Sequence, residues 1–245
     1  MRAFTIIGGI VLASGAWWLL ARTPAPPAAP PQREAVGPAA PAERFAAALA
    51  QVVNSGGDTL RLDDFPATDA HFQTLSELER LRVLRLSGGQ CSAAAARSLA
   101  NMPQLEQLHL RNVALDDAAI AAIAESRSLW LLNVSGAAVS PQAIERLADL
   151  PRLRQLRLGI KGAVGNGDAY AAAVAKIEGL QSLHLIGIGV TDQGLRALAK
   201  LPRLQSLYLD DTQISEDGWT WLFTNHSHLH VHIDQQHHDR DPQRH

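Results

Sequence analysis

The sequence predicts a right-handed α/β solenoid, a horseshoe in which a parallel concave sheet of about eight strands is backed by short helices on the convex side. Two observations carry this prediction. A Leu-x-x-Leu-x-Leu segment recurs at a nearly constant stride, and apolar residues with helical spacing recur between these segments. A single unit of this kind cannot bury its own apolar faces, so the units are expected to stack around one continuous core.

The strand segments are identified by their leucines, and six of them are complete. Their last apolar residues are Leu86, Leu110, Val134, Leu158, Leu185 and Leu209, at intervals of 24, 24, 24, 27 and 24 positions. Continuing the stride in both directions adds Leu62 and Ile233. The sequence therefore predicts eight equivalent strands and one insertion of three residues.

The segments between the strands carry apolar residues at spacings of three, which describes one buried face of a short helix. A side chain that can accept hydrogen bonds from the first helical turn precedes most of these faces. The predicted N-terminal caps are Thr68, Ser92, Asp116, Ser140, Thr191 and Ser215.

These strand and helix segments resemble the leucine-rich-repeat family over roughly Asp58 to Asp234. The helical segments resemble its ribonuclease-inhibitor-like branch, in the 24-residue form of bacterial envelope proteins. The resemblance implies a binding scaffold whose concave face contacts the partner. The chain departs from the family at the position three residues after the last leucine, where the family usually has an asparagine or a cysteine. The residues at these positions are Gly89, Val113, Ala137, Ile188 and Thr212.

The N-terminus reads as a targeting segment. Residues 4–21 form an uncharged apolar run that would span about 27 Å as a helix. One interpretation is an uncleaved signal anchor that holds the repeat domain in the periplasm at the inner membrane. The other is a signal peptide that is cleaved near Ser14 to Ala16, which would release a secreted protein. Residues 22–41 are rich in proline and alanine and read as an extended linker.

The rest of the chain divides into a helical N-terminal cap at 42–57, the repeat domain at 58–234 and a histidine-rich polar tail at 235–245. The formal net charge of −2 argues against a nucleic-acid partner. A single cysteine, Cys91, excludes an internal disulfide, and its place in an apolar column predicts that it is buried.

The candidate binding residues follow from strand geometry. Alternate side chains of a strand face opposite ways, so a residue between two inward-facing leucines faces the concave surface. The predicted binding residues are Arg61, Arg85, His109, Asn133, Arg157, His184, Tyr208 and His232, joined by Arg111 from the adjacent row. Arginine and tyrosine often carry binding energy. The sequence therefore predicts recognition of a protein or an anionic envelope polymer.

The histidines near the C-terminus suggest an alternative function. In an extended strand, His228, His230 and His232 project to one side and could share a zinc, copper or nickel ion. The other interpretation of the same residues is a polar strand that caps the solenoid. Apart from this zinc site, we expect no cofactor.

The sequence contains no catalytic motif, neither Gly-x-Ser-x-Gly nor His-Glu-x-x-His. Adjacent aspartates, Asp116 with Asp117 and Asp210 with Asp211, fall at predicted turns, where they suit capping better than acid–base chemistry. We therefore expect a binding scaffold and not an enzyme.

Overall fold

The structure is a computed structural model that describes residues 40–163, 165–234 and 236–237 of the chain. Within these ranges nine strands form one sheet in sequence order. The first eight are parallel, and the ninth pairs antiparallel with the eighth. The strands are β1 (Thr59–Leu62), β2 (Val83–Ser87), β3 (Gln107–Arg111), β4 (Leu131–Ala137), β5 (Gln155–Ile160), β6 (Ser182–Ile186), β7 (Ser206–Asp210), β8 (His230–Ile233) and β9 (Gln236–His237).

A helix precedes β1, and a helix connects each pair of consecutive parallel strands. The helices are α1 (Pro41–Ser55), α2 (Asp69–Ser76), α3 (Ala93–Ala100), α4 (Asp117–Ile123), α5 (Pro141–Glu145), α6 (Gly167–Val174), α7 (Asp192–Leu198) and α8 (Glu216–Asn225). A 3-10 turn at Arg146–Asp149 follows α5 directly. The predicted α/β solenoid with a parallel sheet of eight strands is confirmed.

The strand register places equivalent residues of successive repeats side by side. Leu60 pairs with Leu84, 24 positions later, whereas Leu156 pairs with Leu183, 27 positions later. The three extra residues therefore lie in the connection between β5 and β6, and the register of the sheet is preserved.

The leucines of the strands form two buried columns across the sheet. The first column is Leu60, Leu84, Leu108, Leu132, Leu156, Leu183, Leu207 and Val231, and each of these is at most 2% exposed. The apolar faces of the helices pack behind them, from Phe72 and Leu75 of α2 to Trp219 and Leu222 of α8. Burying one such side chain contributes about 1.5–3 kcal/mol, so the repeat pattern alone accounts for a continuous core.

All six predicted N-terminal caps occupy the capping position of a helix. Ser92, Asp116, Ser140 and Ser215 each accept a hydrogen bond from the third residue of the helix that they cap. The helix α6 has an unpredicted cap residue, Asn166, because the insertion displaces this helix from the regular stride.

Carboxylates connect neighbouring repeats on the convex side. The first aspartate in a helix accepts a hydrogen bond from the backbone N–H of the cap residue in the next repeat. We call this set the aspartate ladder, and its pairs are Asp69–Ser92, Asp117–Ser140, Asp168–Thr191 and Asp192–Ser215. In the last three pairs the cap hydroxyl donates a second bond of 2.6 Å. The ladder joins repeats that lack the asparagine usual in the leucine-rich repeats that they resemble.

Gly89 shows why one of the family's asparagine positions is glycine here. Its φ is +86°, and a Cβ on this residue would lie well inside contact distance of the Ala67 backbone. The backbones approach closely because Gly89 bridges Ala67 of the preceding repeat and accepts a hydrogen bond from Ala114 of the next. Only glycine allows both the positive φ and this approach.

The helix α1 packs against the first repeat through an aromatic cluster. The rings of Phe45 and Phe65 stack at 5.8 Å, and His71 meets both edge-on. His71 also accepts hydrogen bonds at Nδ1 from the backbone N–H and the hydroxyl of Thr68, the cap of α2. This cluster covers the apolar face that the first repeat would otherwise expose.

The predicted localisation requires correction. Among the residues that the structure describes, no helix is both long and apolar enough to cross a membrane. This finding contradicts the inner-membrane anchor that we predicted from an apolar run of ordinary spanning length, and we withdraw the anchored, periplasmic localisation. The run itself, residues 4–21, lies outside the described residues, as does the linker up to residue 39.

Candidate binding groove

The sheet places the eight predicted strand residues in one continuous row, which we call the concave row. Its members pair in the order Arg61, Arg85, His109, Asn133, Arg157, His184, Tyr208 and His232. Neighbouring strands are about 4.8 Å apart, so side chains of adjacent strands in this row contact one another. The ninth predicted residue, Arg111, ends β3 beside the row.

The concave row lines a groove of about 650 Å³ on the open face of the sheet. Seven strands contribute to its walls, from Arg61 on β1 to Tyr208 on β7. The polar residues Gln155 and Ser182, two positions before Arg157 and His184, also line it. We refer to this space as the concave groove.

The arginines of the groove fall into two kinds. Arg61 is neutralised by Asp63, since its Nε lies 2.5 Å from Oδ2 of that carboxylate. By contrast, Arg85, Arg111 and Arg157 are exposed and form no ion pair with any carboxylate in the described part of the chain. Three unneutralised guanidinium groups therefore lie around the middle of the groove.

His109 lies among these arginines. Its Nε2 is buried and has no hydrogen-bond partner among the described residues. Burial, together with smaller contributions from the charges of Arg85, Arg111 and Arg157, lowers the pKa of His109 to about 4. Its imidazole is therefore neutral at pH 7. The sequence analysis predicted His109 as a binding residue but did not predict its charge.

Asn133 forms the floor of the groove and is only 6% exposed. Its Oδ1 accepts a hydrogen bond of 2.7 Å from the Ser135 hydroxyl on the same strand. Asn133 therefore lines the groove mainly as a spacer between His109 and Arg157, with little surface of its own.

His184 is held by Asp210, an interaction that the sequence analysis missed. Its Nε2 lies 2.8 Å from Oδ2 of Asp210, and the two side chains are 16% and 11% exposed. Burial lowers the pKa of His184 and outweighs the hydrogen bond to Asp210, which raises it. A neutral His184 with its proton on Nε2 donates to the carboxylate, and this arrangement fixes the ring.

The aromatic residues of the last three parallel strands stack on one another. Tyr208 lies between His184, at 5.4 Å, and His232, whose ring is parallel to it at 4.5 Å. The Nε2 atoms of His232 and His230 lie 2.8 Å apart. These rings contact one another along the C-terminal strands of the sheet.

The structure brings together two of the three predicted metal ligands. His230 and His232 lie on β8, whereas His228 precedes the strand, with its ring 6.0 Å from that of His226. Within the described ranges, no group of three or more His, Cys, Asp or Glu side chains is placed to hold a metal ion. The tail residues 238–245 lie outside those ranges.

Comparisons with solved structures place the fold among leucine-rich-repeat proteins. No family model and no curated protein matches the chain. An internalin from Listeria monocytogenes is 20% identical, with a TM-score of 0.53 over 73% of this chain and 47% of its own. The chain thus spans about half of that internalin. A protein from Bacteroides fragilis is 16% identical, with a TM-score of 0.52 over 83% of this chain and 72% of its own.

Internalins are leucine-rich-repeat proteins, and the sheet described above has the same architecture. The fold is therefore an α/β leucine-rich-repeat solenoid.

Proposed function

We propose that the protein is a non-enzymatic scaffold that binds another protein in the concave groove. The observation that carries the proposal is the set of three arginines at the groove centre that no described carboxylate neutralises. Arginine is enriched among residues that dominate binding energy, and an unpaired guanidinium offers a partner several donors. The repeats, with α-helices on the convex side and a stride of mostly 24 residues, support the ribonuclease-inhibitor-like branch.

The side chains of the groove favour binding over catalysis. The pair of His184 and Asp210 resembles part of a catalytic triad, but Asp210 is the only side-chain hydrogen-bond partner of His184 in the described part of the chain. A nucleophile must lie within hydrogen-bond reach of its base. Burial also raises the pKa of the Cys91 thiol to about 12, which makes it a poor nucleophile.

Site-specific photo-crosslinking tests this proposal. A crosslinking residue would replace Gln155, which lines the groove, and in a matched control Arg97, which lies on the helix α3. We expect a defined protein to crosslink from position 155 in cells that make this chain, and to be lost when Tyr208→Ala is added. Equal crosslinking from positions 155 and 97 would overturn the proposal. Crosslinking to an anionic polymer alone would replace the protein partner.

Metal binding is a second candidate function, which one observation favours. The Nε2 atoms of His230 and His232 converge at 2.8 Å, and two imidazoles bound to one tetrahedral zinc ion would stand about 3.3 Å apart. Zinc titration of the full chain would compare His230→Ala with His226→Ala as a matched control. Equal zinc affinity of the two variants and the unaltered protein would contradict this second function.

A further inference from the structure

Four side chains at the centre of the groove form what we call the cationic cluster: Arg85, Arg111, Arg157 and His109. They come from β2, β3 and β5, with the uncharged Asn133 of β4 between them. The carboxylates nearest along the groove are engaged elsewhere, because Asp63 pairs with Arg61 and Asp210 holds His184. The cluster therefore concentrates positive charge in a concave space whose two nearby carboxylates, Asp63 and Asp210, form no ion pair with its arginines.

We infer that the cationic cluster binds an acidic segment of the protein partner, and that His109 takes up a proton when this segment binds. The inference rests on the proposed function, since it names the occupant of the same groove. It adds the chemistry of that occupant and a dependence on pH.

Charge complementarity selects an acidic occupant from outside this chain. Arginine forks pair best with carboxylates or phosphates, and often bind them through two hydrogen bonds. Residues 1–39 contain three arginines and one glutamate, and residues 235–245 contain two arginines and two aspartates. Neither segment brings a net negative charge from its acidic and arginine side chains. These two segments are therefore poor occupants of the cluster.

The spacing of the arginines suits an extended polypeptide. Arg85 and Arg157 lie three strands apart in the concave row, which corresponds to about 14 Å. Side chains four residues apart in an extended segment are also about 14 Å apart and project to the same side. A segment that crosses the strands could therefore place one carboxylate at Arg85 and another at Arg157, with Arg111 and His109 between them.

His109 is the group in the cluster that can respond to the partner. The charged groups that face it are Arg85 from β2, Arg111 from its own strand and Arg157 from β5. The facing residues of β4, Asn133 and Ser135, carry no charge, and the side of the sheet behind His109 is apolar. Carboxylates placed among these arginines offset their positive charge, which favours the imidazolium form. The buried Nε2 then gains an acceptor.

The probe for this inference is a capped peptide of alternating glutamate and glycine, compared with the same peptide carrying glutamine. Calorimetric titration of the full chain at pH 7.5 and 5.5, in buffers of different ionisation enthalpy, gives the affinity and the number of protons taken up. We expect only the glutamate peptide to bind. If binding restores the ordinary pKa of His109, affinity rises about tenfold at pH 5.5, with uptake of close to one proton.

Variants assign each part of this result. Arg85→Gln and Arg157→Gln should weaken binding at least tenfold, whereas Arg97→Gln, the matched control on the helix α3 whose side chain is paired with Glu125, should not. His109→Gln should bind at pH 7.5 and lose the proton uptake. Equal affinity of the Arg97, Arg85 and Arg157 variants would overturn the acidic site. Full proton uptake by the His109 variant would overturn the coupling.

The outcomes also separate this inference from the proposed function. If the glutamate peptide does not bind while position 155 still crosslinks a protein partner, the acidic occupant is wrong and the scaffold stands. If the peptide binds but no protein crosslinks from the groove, the site binds anions and the scaffold proposal fails. Circular dichroism of each variant shows that losses of binding do not come from unfolding.

Discussion

The carboxylate of Asp192 accepts two hydrogen bonds from Ser215, one from its backbone N–H at 2.8 Å and one from its hydroxyl at 2.6 Å. Ser215 in turn accepts a hydrogen bond from Gly218 and caps the helix α8. One aspartate therefore stabilises both the stacking of two repeats and the start of the last helix.

We expect Asp192→Asn to destabilise the solenoid by about 1 kcal/mol, because the amide cannot accept both bonds as a charge-assisted pair. For a domain of this size that corresponds to a fall in Tm of about 2–4 °C. Thermal unfolding followed by circular dichroism measures this fall in Tm. Asp149→Asn is the control, because among the described residues Asp149 makes only an exposed ion pair, with Arg146. An equal fall in both variants would contradict a special role for the aspartate ladder.

Acid should destabilise the protein in two separate ranges of pH. The folded pKa of His109 is about 4, below its ordinary 6.5, so the unfolded chain takes up this proton first and stability falls between about pH 6.5 and 4. Hydrogen bonds from Ser92 and Ser215 lower the pKa of Asp69 and Asp192, so their contribution is lost as pH falls below about 3.8.

Thermal melts from pH 8 to pH 3 would resolve the two ranges. His109→Gln should flatten the slope of Tm between pH 6.5 and 4 and leave the lower range unchanged. The double variant Asp69→Asn and Asp192→Asn should leave the slope of Tm between pH 6.5 and 4 unchanged and reduce the further fall in Tm at lower pH. A His109→Gln profile that follows the unaltered protein throughout would show that His109 is not held neutral in the fold.

The leucine stride determined most of this architecture from sequence, because each unit buries the same faces against its neighbours. The eight strands, their register and six helix caps followed from it. The cap Asn166 was missed because the three-residue insertion shifts α6 out of the stride.

The sequence analysis also overlooked a repeated position occupied by residues that tolerate a left-handed backbone. Asp64, Gly88, Asn112, Gly136, Gly187 and Asp211 occupy one repeat position, and all have positive φ. Glycine, Asn and Asp tolerate that conformation best.

The site was predictable only in part. Strand alternation identified which residues form the concave row, but the strand pattern carries no information on which charges cancel. Arg61 pairs with Asp63, two positions later and just past the end of β1, whereas His184 pairs with Asp210 on the next strand, 26 residues away. Asp210 was interpreted as a turn residue because it adjoins Asp211, yet it ends β7 and its side chain is nearly buried.

Gly89→Ala should destabilise the fold strongly, because a Cβ would meet the Ala67 backbone and the φ of +86° is unfavourable for alanine. We expect a loss of about 2–4 kcal/mol in the free energy of unfolding, measured by urea denaturation. Gly165→Ala is the matched control. Its φ is +85°, but a Cβ added there would meet no other atom of the described residues within 4 Å. Its loss should be about 1–2 kcal/mol, from the backbone conformation alone. Equal losses of unfolding free energy in the Gly89 and Gly165 variants would contradict the close approach of Gly89 to the Ala67 backbone.

Cys91 should resist modification in the folded protein. Its side chain is buried, at 2% exposure, and burial raises the pKa of its thiol to about 12. Reaction with a disulfide reagent at pH 8 should be slow in native conditions and fast in urea, with one thiol titrated per chain. Rapid labelling without denaturant would show that the second repeat opens locally, since only an exposed thiolate reacts.

Asp210→Asn tests whether the carboxylate at the end of β7 sets the state of His184. The hydrogen bond and the charge of Asp210 both raise the pKa of His184 against the larger opposite effect of burial. Removing the charge should therefore lower the pKa of His184 further below its ordinary value, so the ring stays neutral to a lower pH. A titration of the imidazole protons by NMR measures this shift. Asp63→Asn, just past the end of the first strand, is the control and should leave the pKa of His184 unchanged. A rise in the pKa of His184 in the Asp210 variant would show that burial of the ring depends on this carboxylate and relaxes without it.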